Sequence, residues 1–299
     1  MRFVTFINEH QQPTAGVISD NERVLDLSHS FYQPYRQNTP ASIMSFLSDG
    51  IDQWAKRIAA WPVHPPALHG INTLRLLAPV PTPSKVIGAA YNFKDALAER
   101  NTPTPPEPFI FFRAGHTVIG PNTPILIPSD VNAVGYEGEL AVVIGKTAMF
   151  VSEQDALDYI GGYIAHNDVS GSGLIKADGG NFIRGKNMPA TAPCGPWLAT
   201  SDEIPDPNNL SIELDIDGKV LQHGNTKDLV FKIPQLISFI SHRYPLFPGD
   251  IIATGTPAGT AASHTPAAWL APGQVVTVRV GHLGSLRNPI SQGSPFLEH

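Results

Sequence analysis

The chain has 299 residues, of which 42% are hydrophobic and only 15% charged, and its formal net charge is -6. This length predicts two domains or one large β-rich domain, and the apolar content is sufficient for a sizeable core. Because no run of lysine or arginine is present, we do not expect a nucleic-acid partner.

Other sequence features concern the compartment. The single cysteine, Cys194, excludes an internal disulfide and fits a reducing environment. No apolar signal-peptide region follows Met1, and the long uncharged stretch 251–277 is interrupted by prolines. We therefore expect a cytoplasmic protein with no membrane partner, and we interpret Leu297–His299 as the remnant of an expression tag.

Residues 1–70 have the pattern of a small α+β domain. Strand patterns are followed by two helix patterns: Arg2–Ile7, Ala15–Val24, Ala41–Leu47 and Ile51–Ala59. Gly50 separates the helices as a C-cap, and a proline-rich linker, residues 71–83, ends the domain.

Residues 84–296 form the second predicted domain, which is mainly β because its strand patterns outnumber its helices and are mostly not spaced as βαβ units. The predicted strands are Val86–Gly88, Phe109–Phe112, Pro124–Ile127, Glu137–Ile144, Tyr163–Val169 and Val275–Val280, with a hairpin turn at Asp217–Gly218. Helices are predicted from Ser152 to Tyr159 and from Pro234 to Ile240.

Two acidic residues mark the start of a buried strand pattern. Glu137 and Glu139 are two apart, so on a strand their side chains project to the same side. Like charges this close repel, and a hard divalent cation with oxygen ligands would relieve the repulsion. A solvent-facing pair at a strand end is the structural alternative.

Further candidates follow in the segment after the next strand. Asp168 offers a third carboxylate, and His166 should share its face, either as a ligand or base or as a packed, hydrogen-bonded core histidine. Lys186 lies in a loop, where it could stabilise an oxyanion or simply be solvated. Gly255 and Thr256 belong to a glycine-rich segment that would let an anionic ligand approach the backbone, or would form a tight turn.

Taken in order, several segments resemble those of the fumarylacetoacetate hydrolase family. They are Gly88–Asp95, Tyr136–Leu140, Asn167–Ser170, Arg184–Lys186, Pro248–Asp250 with Thr254–Gly259, and Leu286–Pro289. The resemblance covers about residues 70–292, and residues 1–70 correspond to a variable N-terminal domain.

The resemblance implies a mixed β-sandwich or β-roll, a homodimer, and an Mg²⁺ site, with Mn²⁺ or Ca²⁺ as alternatives. It assigns Glu137, Glu139 and Asp168 as the metal ligands and Lys186 as the active-site lysine. We expect the small-molecule substrate to bind at Thr256, Gly255 and Asn92. Family members act on 1,3-dicarbonyl and 2-oxo acids, often in aromatic catabolism, through an enolate held on a metal.

The sequence departs from the family pattern at three places, one of them near Lys186, where Pro189 and Ala190 replace a common Asp-Thr or Asp-Gly pair. Hydrolases of the family carry a histidine, paired with a glutamate three residues later, that activates water; here Ala96 replaces the histidine while Glu99 is retained. In the loop after Asp168, Ser172 and Ile175 replace an arginine and a glutamine that bind the substrate carboxylate.

Three functions follow from these observations. The first is a metal-dependent hydrolase or lyase of an acylpyruvate-like acid, in which Glu99, His116 or Lys186 replaces the histidine. The second is a decarboxylase, tautomerase or isomerase that needs no activated water, and the third is a non-catalytic metal- or ligand-binding homologue.

Overall fold

The structure is a computed structural model that describes residues 1–19 and 22–293. The predicted tag remnant, 297–299, and the last residues of the predicted second domain lie outside this part of the chain. The strands are β1 (Arg2–Ile7), β2 (Pro13–Ile18), β3 (Arg23–Asp26), β4 (Leu68–Gly70), β5 (Leu76–Leu77), β6 (Val86–Ala90), β7 (Phe109–Arg113), β8 (Val118–Ile119), β9 (Ile125–Ile127), β10 (Val134–Gly135), β11 (Gly138–Ile144), β12 (Ile160–Asn167), β13 (Ser170–Gly171), β14 (Ala192–Ala199), β15 (Ser211–Ile216), β16 (Lys219–Asn225), β17 (Ile251–Ala253), β18 (Val275–Val280) and β19 (Ser285–Gln292). The helices are α1 (Gln33–Arg36), α2 (Ile43–Asp49), α3 (Ile51–Ala59), α4 (Lys94–Glu99), α5 (Ser172–Ala177), α6 (Phe182–Lys186) and α7 (Ile233–Ser241).

A large mixed sheet organises the chain, in the strand order β4-β3-β2-β1-β14-β12-β11-β17-β6-β7. Strands β17 and β6 are parallel, whereas β11 is antiparallel to both of its neighbours. A second sheet has the order β16-β15-β18-β19-β9. The prediction of a mainly β fold built from mixed sheets is confirmed.

Strand β11 is buried on both faces. Leu140, Val142 and Ile144 belong to the core on one side of the sheet, and Ala141 and Val143 to the core on the other. Each fully buried branched side chain contributes about 1.5–3 kcal/mol. A one-residue slip would exchange the two faces, so this packing fixes the register of the strand and the position of its acidic end.

The N-terminal residues continue the large sheet, because Arg2 of β1 pairs with Ala199 of β14. Helix α3 has the predicted bounds, and Gly50 ends α2 with a φ of +99° while its N–H bonds the Leu47 carbonyl. The division of the chain into domains at residue 70 remains a prediction.

The helix predicted from Ser152 is wrong in type and extent. A single 3₁₀ turn, Ala156–Tyr159, stands in its place. The Ser152 hydroxyl donates to the Asp155 carboxylate at 2.7 Å. The shorter aspartate is therefore engaged with the hydroxyl, whereas a capping box requires the acidic side chain to bond the Ser152 N–H. Among the described residues, none of the helices has the length and apolarity needed to cross a membrane.

Candidate active site

The sheet brings four chain segments to one edge. Because β11 is antiparallel to β12 and β17, its start lies beside their ends, with Gly138 opposite Asn167. The parallel strand β6 also ends at this edge, immediately before the segment that carries Asn92. Lys186, the last residue of α6, completes the group. Side chains far apart in the sequence therefore meet here.

Three carboxylates form a cluster at this edge. Glu137, Glu139 and Asp168 each offer an oxygen, and these atoms all lie within 4.8 Å of one another. Glu139 and Asp168 are buried, whereas a quarter of the Glu137 side chain is exposed. Glu137 lies just before β11 rather than inside the strand, which differs from the predicted bounds, but its carboxylate still converges with that of Glu139.

Two buried cations contact this acidic cluster. The Lys186 Nζ donates to Glu137 Oε2 at 2.9 Å and to Asp168 Oδ2 at 2.6 Å, and it lies 5.0 Å from the centre of the Phe111 ring. The Arg113 guanidinium bonds Asp168 Oδ1 and donates to the Thr191 carbonyl at 2.7 Å. Asp168 is therefore held from both sides.

The environments of the three carboxylates differ. Burial acts to raise the pKa of Asp168, but the charges of Lys186 and Arg113 outweigh it and hold this pKa below its usual range. Burial and the neighbouring charges of Asp168 and Glu137 hold the pKa of Glu139 well above its usual range. Burial also raises the pKa of Glu137, against the opposing charge of Lys186.

Glu139 has the least compensated charge. Its Oε2 accepts a hydrogen bond from the Gly255 N–H at 2.9 Å, and no ion pair joins it to any cation in the described part of the chain. A buried carboxylate is costly unless it is paired or coordinates a metal. The cluster holds three carboxylates against two cations, so its donor set and charge fit a hard divalent cation with oxygen ligands, such as Mg²⁺, Mn²⁺ or Ca²⁺.

The acidic cluster opens into a small cavity of about 120 Å³. Lys186 and Thr256 are among its polar lining residues, and Phe111, Phe182 and Ala96 belong to its apolar wall. Burial opposes a charge on Lys186, but the adjacent carboxylates of Asp168 and Glu137 prevail and raise its pKa. The ammonium group is thus kept charged at the wall of the cavity.

The expected substrate-binding residues line this cavity, and they also connect its walls. Asn92 donates from Nδ2 to the Thr254 carbonyl at 2.8 Å, and its Oδ1 accepts from the Phe231 N–H. The Thr256 hydroxyl donates to the Gly138 carbonyl at 3.0 Å. Gly255 has a φ of +102°, and a Cβ here would lie 3.0 Å from the Ala89 carbonyl oxygen, so a side chain would be strained.

The other two expected catalytic residues are not brought into this cavity. Glu99 lines an adjoining cavity, where its carboxylate accepts a hydrogen bond from the Gly259 N–H at 3.1 Å. His116 is exposed, with Nε2 3.4 Å from the Asn187 carbonyl oxygen. The predicted roles of both residues remain predictions.

His166 and Cys194 form a buried pair behind the cluster. The His166 Nδ1 lies 2.8 Å from the Pro193 carbonyl oxygen and 3.3 Å from the Cys194 Sγ. Burial lowers the pKa of His166 to about 4 and raises that of Cys194 to about 12. Both side chains are therefore neutral at physiological pH, in agreement with the packed histidine that the sequence allowed.

Sequence reasoning missed two arginines. Arg113 directly follows the predicted strand Phe109–Phe112, and a cation at the end of an apolar strand was the available signal. Arg100 follows α4 and lines the cavity, but a polar helix end gives no local indication of this.

The sequence and structure of the chain are similar to those of known proteins. A family model described as fumarylacetoacetate (FAA) hydrolase C-terminal matches residues 85–291, which is more than half of the chain. The chain belongs to the fumarylacetoacetate hydrolase family.

Members of the fumarylacetoacetate hydrolase family that are similar to this chain include enzymes with different reactions. Oxaloacetate tautomerase fahd2, mitochondrial, from Xenopus laevis is 35% identical over 97% of this chain and 90% of that protein. The 2,4-didehydro-3-deoxy-L-rhamnonate hydrolase of Sphingomonas sp. is 39% identical over 72% of this chain and 75% of that protein. The structure of fumarylacetoacetate hydrolase from Exiguobacterium antarcticum has a TM-score of 0.82 and 28% identity, covering 98% of this chain and 100% of that chain. All three relatives are enzymes, and the structure from Exiguobacterium antarcticum shares the fold of this chain.

Proposed function

We propose that the chain catalyses the keto–enol tautomerisation of a small 2-oxo acid, with Lys186 holding and moving the proton. The observation that carries this proposal is the position of Lys186. Its Nζ is buried between Glu137 and Asp168 and faces the cavity, so a charged proton donor lies beside the substrate space. The raised pKa of Lys186 keeps its amine protonated, so the group holds a proton and is not available for covalent attack.

The reaction moves one proton onto the substrate and removes one from it. In the direction from enol to ketone, carbon 3 of the substrate gains a proton from the Lys186 Nζ. The enol hydroxyl loses a proton, which returns to Lys186 directly or through a water at the cavity mouth. This proton replaces the one that Lys186 gave to carbon 3, and the two carboxylates that bond Nζ favour its charged form, so the protein is unchanged after each cycle.

The lining of the cavity argues against activated water. Ala96 presents only a methyl group to it, and no histidine is among the described residues that line it. A positioned general base typically contributes about 10²–10⁴-fold to such a reaction. Tautomerisation conserves the atoms of the substrate and requires no such base for water.

A divalent cation would be held by Glu137, Glu139 and Asp168 and, when bound, would polarise the oxygens of the 2-oxo acid as a Lewis acid. We propose Mg²⁺, with Mn²⁺ and Ca²⁺ as alternatives, since hard divalent cations prefer carboxylate oxygens. The chain's own residues then act around the substrate: Thr256 lies at the cavity wall, and Phe111 and Phe182 exclude water from one side.

A hydrolytic reaction is the second candidate. The similarity to a hydrolase at 39% identity favours it, and the retained Glu99 lies in the adjoining cavity. We also keep as proposals that the chain is a cytoplasmic homodimer and that it takes part in aromatic catabolism.

The test compares two substrates with and without Mg²⁺. The enol form of oxaloacetate is followed by its ultraviolet absorbance, and an acylpyruvate is followed by mass spectrometry. We expect Mg²⁺-dependent loss of the enol with unchanged mass and no cleavage of the acylpyruvate. Glu137→Ala should lose this activity while its circular dichroism stays unchanged.

Three other results would contradict the proposed reaction or its site. Cleavage of the acylpyruvate into two acids, with uptake of one water and no acceleration of enol loss, would overturn tautomerisation in favour of hydrolysis. Release of CO₂ from oxaloacetate would instead indicate decarboxylation. Activity of Glu137→Ala equal to that of the wild type would remove the acidic cluster from the mechanism.

A further inference from the structure

A second cation faces the cavity from its rim. Arg100 caps the C-terminal end of α4, and its Nη2 donates to the Thr260 hydroxyl at 2.9 Å. Lys186 is paired with two carboxylates, whereas Arg100 forms no ion pair with any residue that the structure describes. Its guanidinium therefore keeps donors that the protein itself does not use.

The surrounding contacts fix the place of this arginine. Asp95 and Glu99 on α4 accept hydrogen bonds from the N–H groups of Ala258 and Gly259, at 3.3 and 3.1 Å. With the bond from Arg100 to Thr260, three contacts tie the helix to the loop that follows Thr256. Arg100 is thus held at the rim by the same loop that lines the cavity.

The two cations that line the cavity differ in their partners. Lys186 lies at the acidic cluster, and Arg100 is close enough to Glu137 for its charge to lower the pKa of that carboxyl group, but it makes no ion pair with it. Among the described residues that line the cavity, Arg100 is the cation without an ion pair, so its guanidinium is available to the other end of a small acid bound at the cluster. The guanidinium fork matches a carboxylate in geometry and charge.

We propose that Arg100 is the specificity-determining residue for a dicarboxylic 2-oxo acid and binds the carboxylate remote from the acidic cluster. This inference rests on the proposed function, since it assumes that the 2-oxo end of the substrate lies at Glu137, Glu139 and Asp168. The competing arrangement is an apolar substrate tail against Phe111 and Phe182, which would make no use of Arg100.

The test uses two dead-end ligands with the same 2-hydroxy acid head. Malate carries a second carboxylate and lactate does not, and their binding to the full-length protein in Mg²⁺ is measured by calorimetry. Arg100→Met should weaken malate binding about 10- to 100-fold, the range expected for losing a hydrogen bond to a charged group, and leave lactate within about twofold. Arg100→Lys should recover part of the preference for malate. The matched control is Lys94→Met, because Lys94 is an exposed cation on the same helix outside the cavity lining.

Equal weakening of malate and lactate, or no change for either, would overturn the proposal, as would a wild-type protein that binds malate no better than lactate. Turnover of enol oxaloacetate is measured separately on the wild type. If the wild type turns over enol oxaloacetate but Arg100→Met binds malate normally, only this inference is refuted. If Arg100→Met selectively loses malate binding but the wild type shows no turnover, the proposed reaction is refuted and the role of Arg100 is supported.

Discussion

Replacing Glu139 by glutamine should stabilise the metal-free protein and abolish its response to Mg²⁺. The carboxylate of Glu139 is buried, and its ligand oxygen lies within 4.8 Å of those of Glu137 and Asp168. At this distance and an effective dielectric constant of about 20, two like charges repel by about 3.5 kcal/mol. Lys186 and Arg113 contact Asp168 and offset part of this repulsion, but neither pairs with Glu139.

The substitution removes the charge and keeps an oxygen that accepts from the Gly255 N–H. We therefore expect the Glu139→Gln variant in EDTA to be more stable than the wild type by about 1–3 kcal/mol, since part of the repulsion is already offset. This corresponds to an increase in Tm of roughly 2 °C per kcal/mol. In the wild type, Mg²⁺ at about 100 times its Kd should add about 2.7 kcal/mol, and the variant should lose most of this increment.

Thermal unfolding of both proteins, in EDTA and in excess Mg²⁺, measures the two effects together. The exposed Glu153→Gln variant is the control, because it removes the same charge away from the acidic cluster. A Glu139→Gln variant that is less stable than the wild type in EDTA and still gains the full increment from Mg²⁺ would exclude both the repulsion and the role of Glu139 as a metal ligand.

The remaining predictions concern pH, the lysine and the thiol. The raised pKa of Glu139 means that the folded state binds the proton of this carboxyl group more tightly than the unfolded state does. In EDTA the contribution of Glu139 to stability should therefore fall as pH rises above about 4.3. Denaturant unfolding from pH 4 to 8 should show this loss in the wild type relative to Glu139→Gln, and the same pH dependence in both proteins would contradict it. The pH dependence of stability that Asp168 contributes has the opposite sign. Because the pKa of Asp168 is lowered in the folded state, its contribution is present above about pH 3.9 and is lost as the pH falls toward the folded-state pKa. Lys186→Met leaves the carboxylates of Glu137 and Asp168 without their shared cation. We therefore expect this variant to lose about 3–5 kcal/mol in the free energy of unfolding and to show no enol conversion. A stable and active variant would exclude Lys186 as the proton carrier. The buried Cys194, with its pKa raised to about 12, should react with a thiol reagent only after unfolding, and rapid labelling of the native protein would show that the thiol is accessible.

The sequence correctly predicted elements whose patterns depend only on neighbouring residues. Helix α3 has its predicted bounds because Ile51, Trp54, Ala55 and Ile58 form one apolar face, and all four are buried. Strand β18 likewise matches its prediction, Val275–Val280. The prediction of a helix after Ser152 failed because a capping box depends on which donor the acidic side chain accepts from, and Asp155 accepts from the hydroxyl rather than from the Ser152 N–H.

The grouping of the carboxylates was predictable only in part. The spacing of Glu137 and Glu139 indicated one shared side. Asp168 and Lys186 were separate candidates, and the resemblance to a family assigned them to the same site. The sequence could not reveal that Arg113 lies against Asp168, because this contact joins residues 55 positions apart through the pairing of distant strands. For the same reason, the sequence offered no signal for the outward position of His116.

The proposed metal site is tested most directly by anomalous diffraction from crystals soaked with Mn²⁺ and oxalate, in which Mn²⁺ replaces Mg²⁺ and oxalate mimics the 2-oxo acid head. We expect one strong peak that is coordinated by an oxygen from each of Glu137, Glu139 and Asp168, with oxalate on the side facing Lys186. A peak bound elsewhere, or a cluster in which the three carboxylates hold no ion while Lys186 still joins Glu137 and Asp168, would contradict the proposed site.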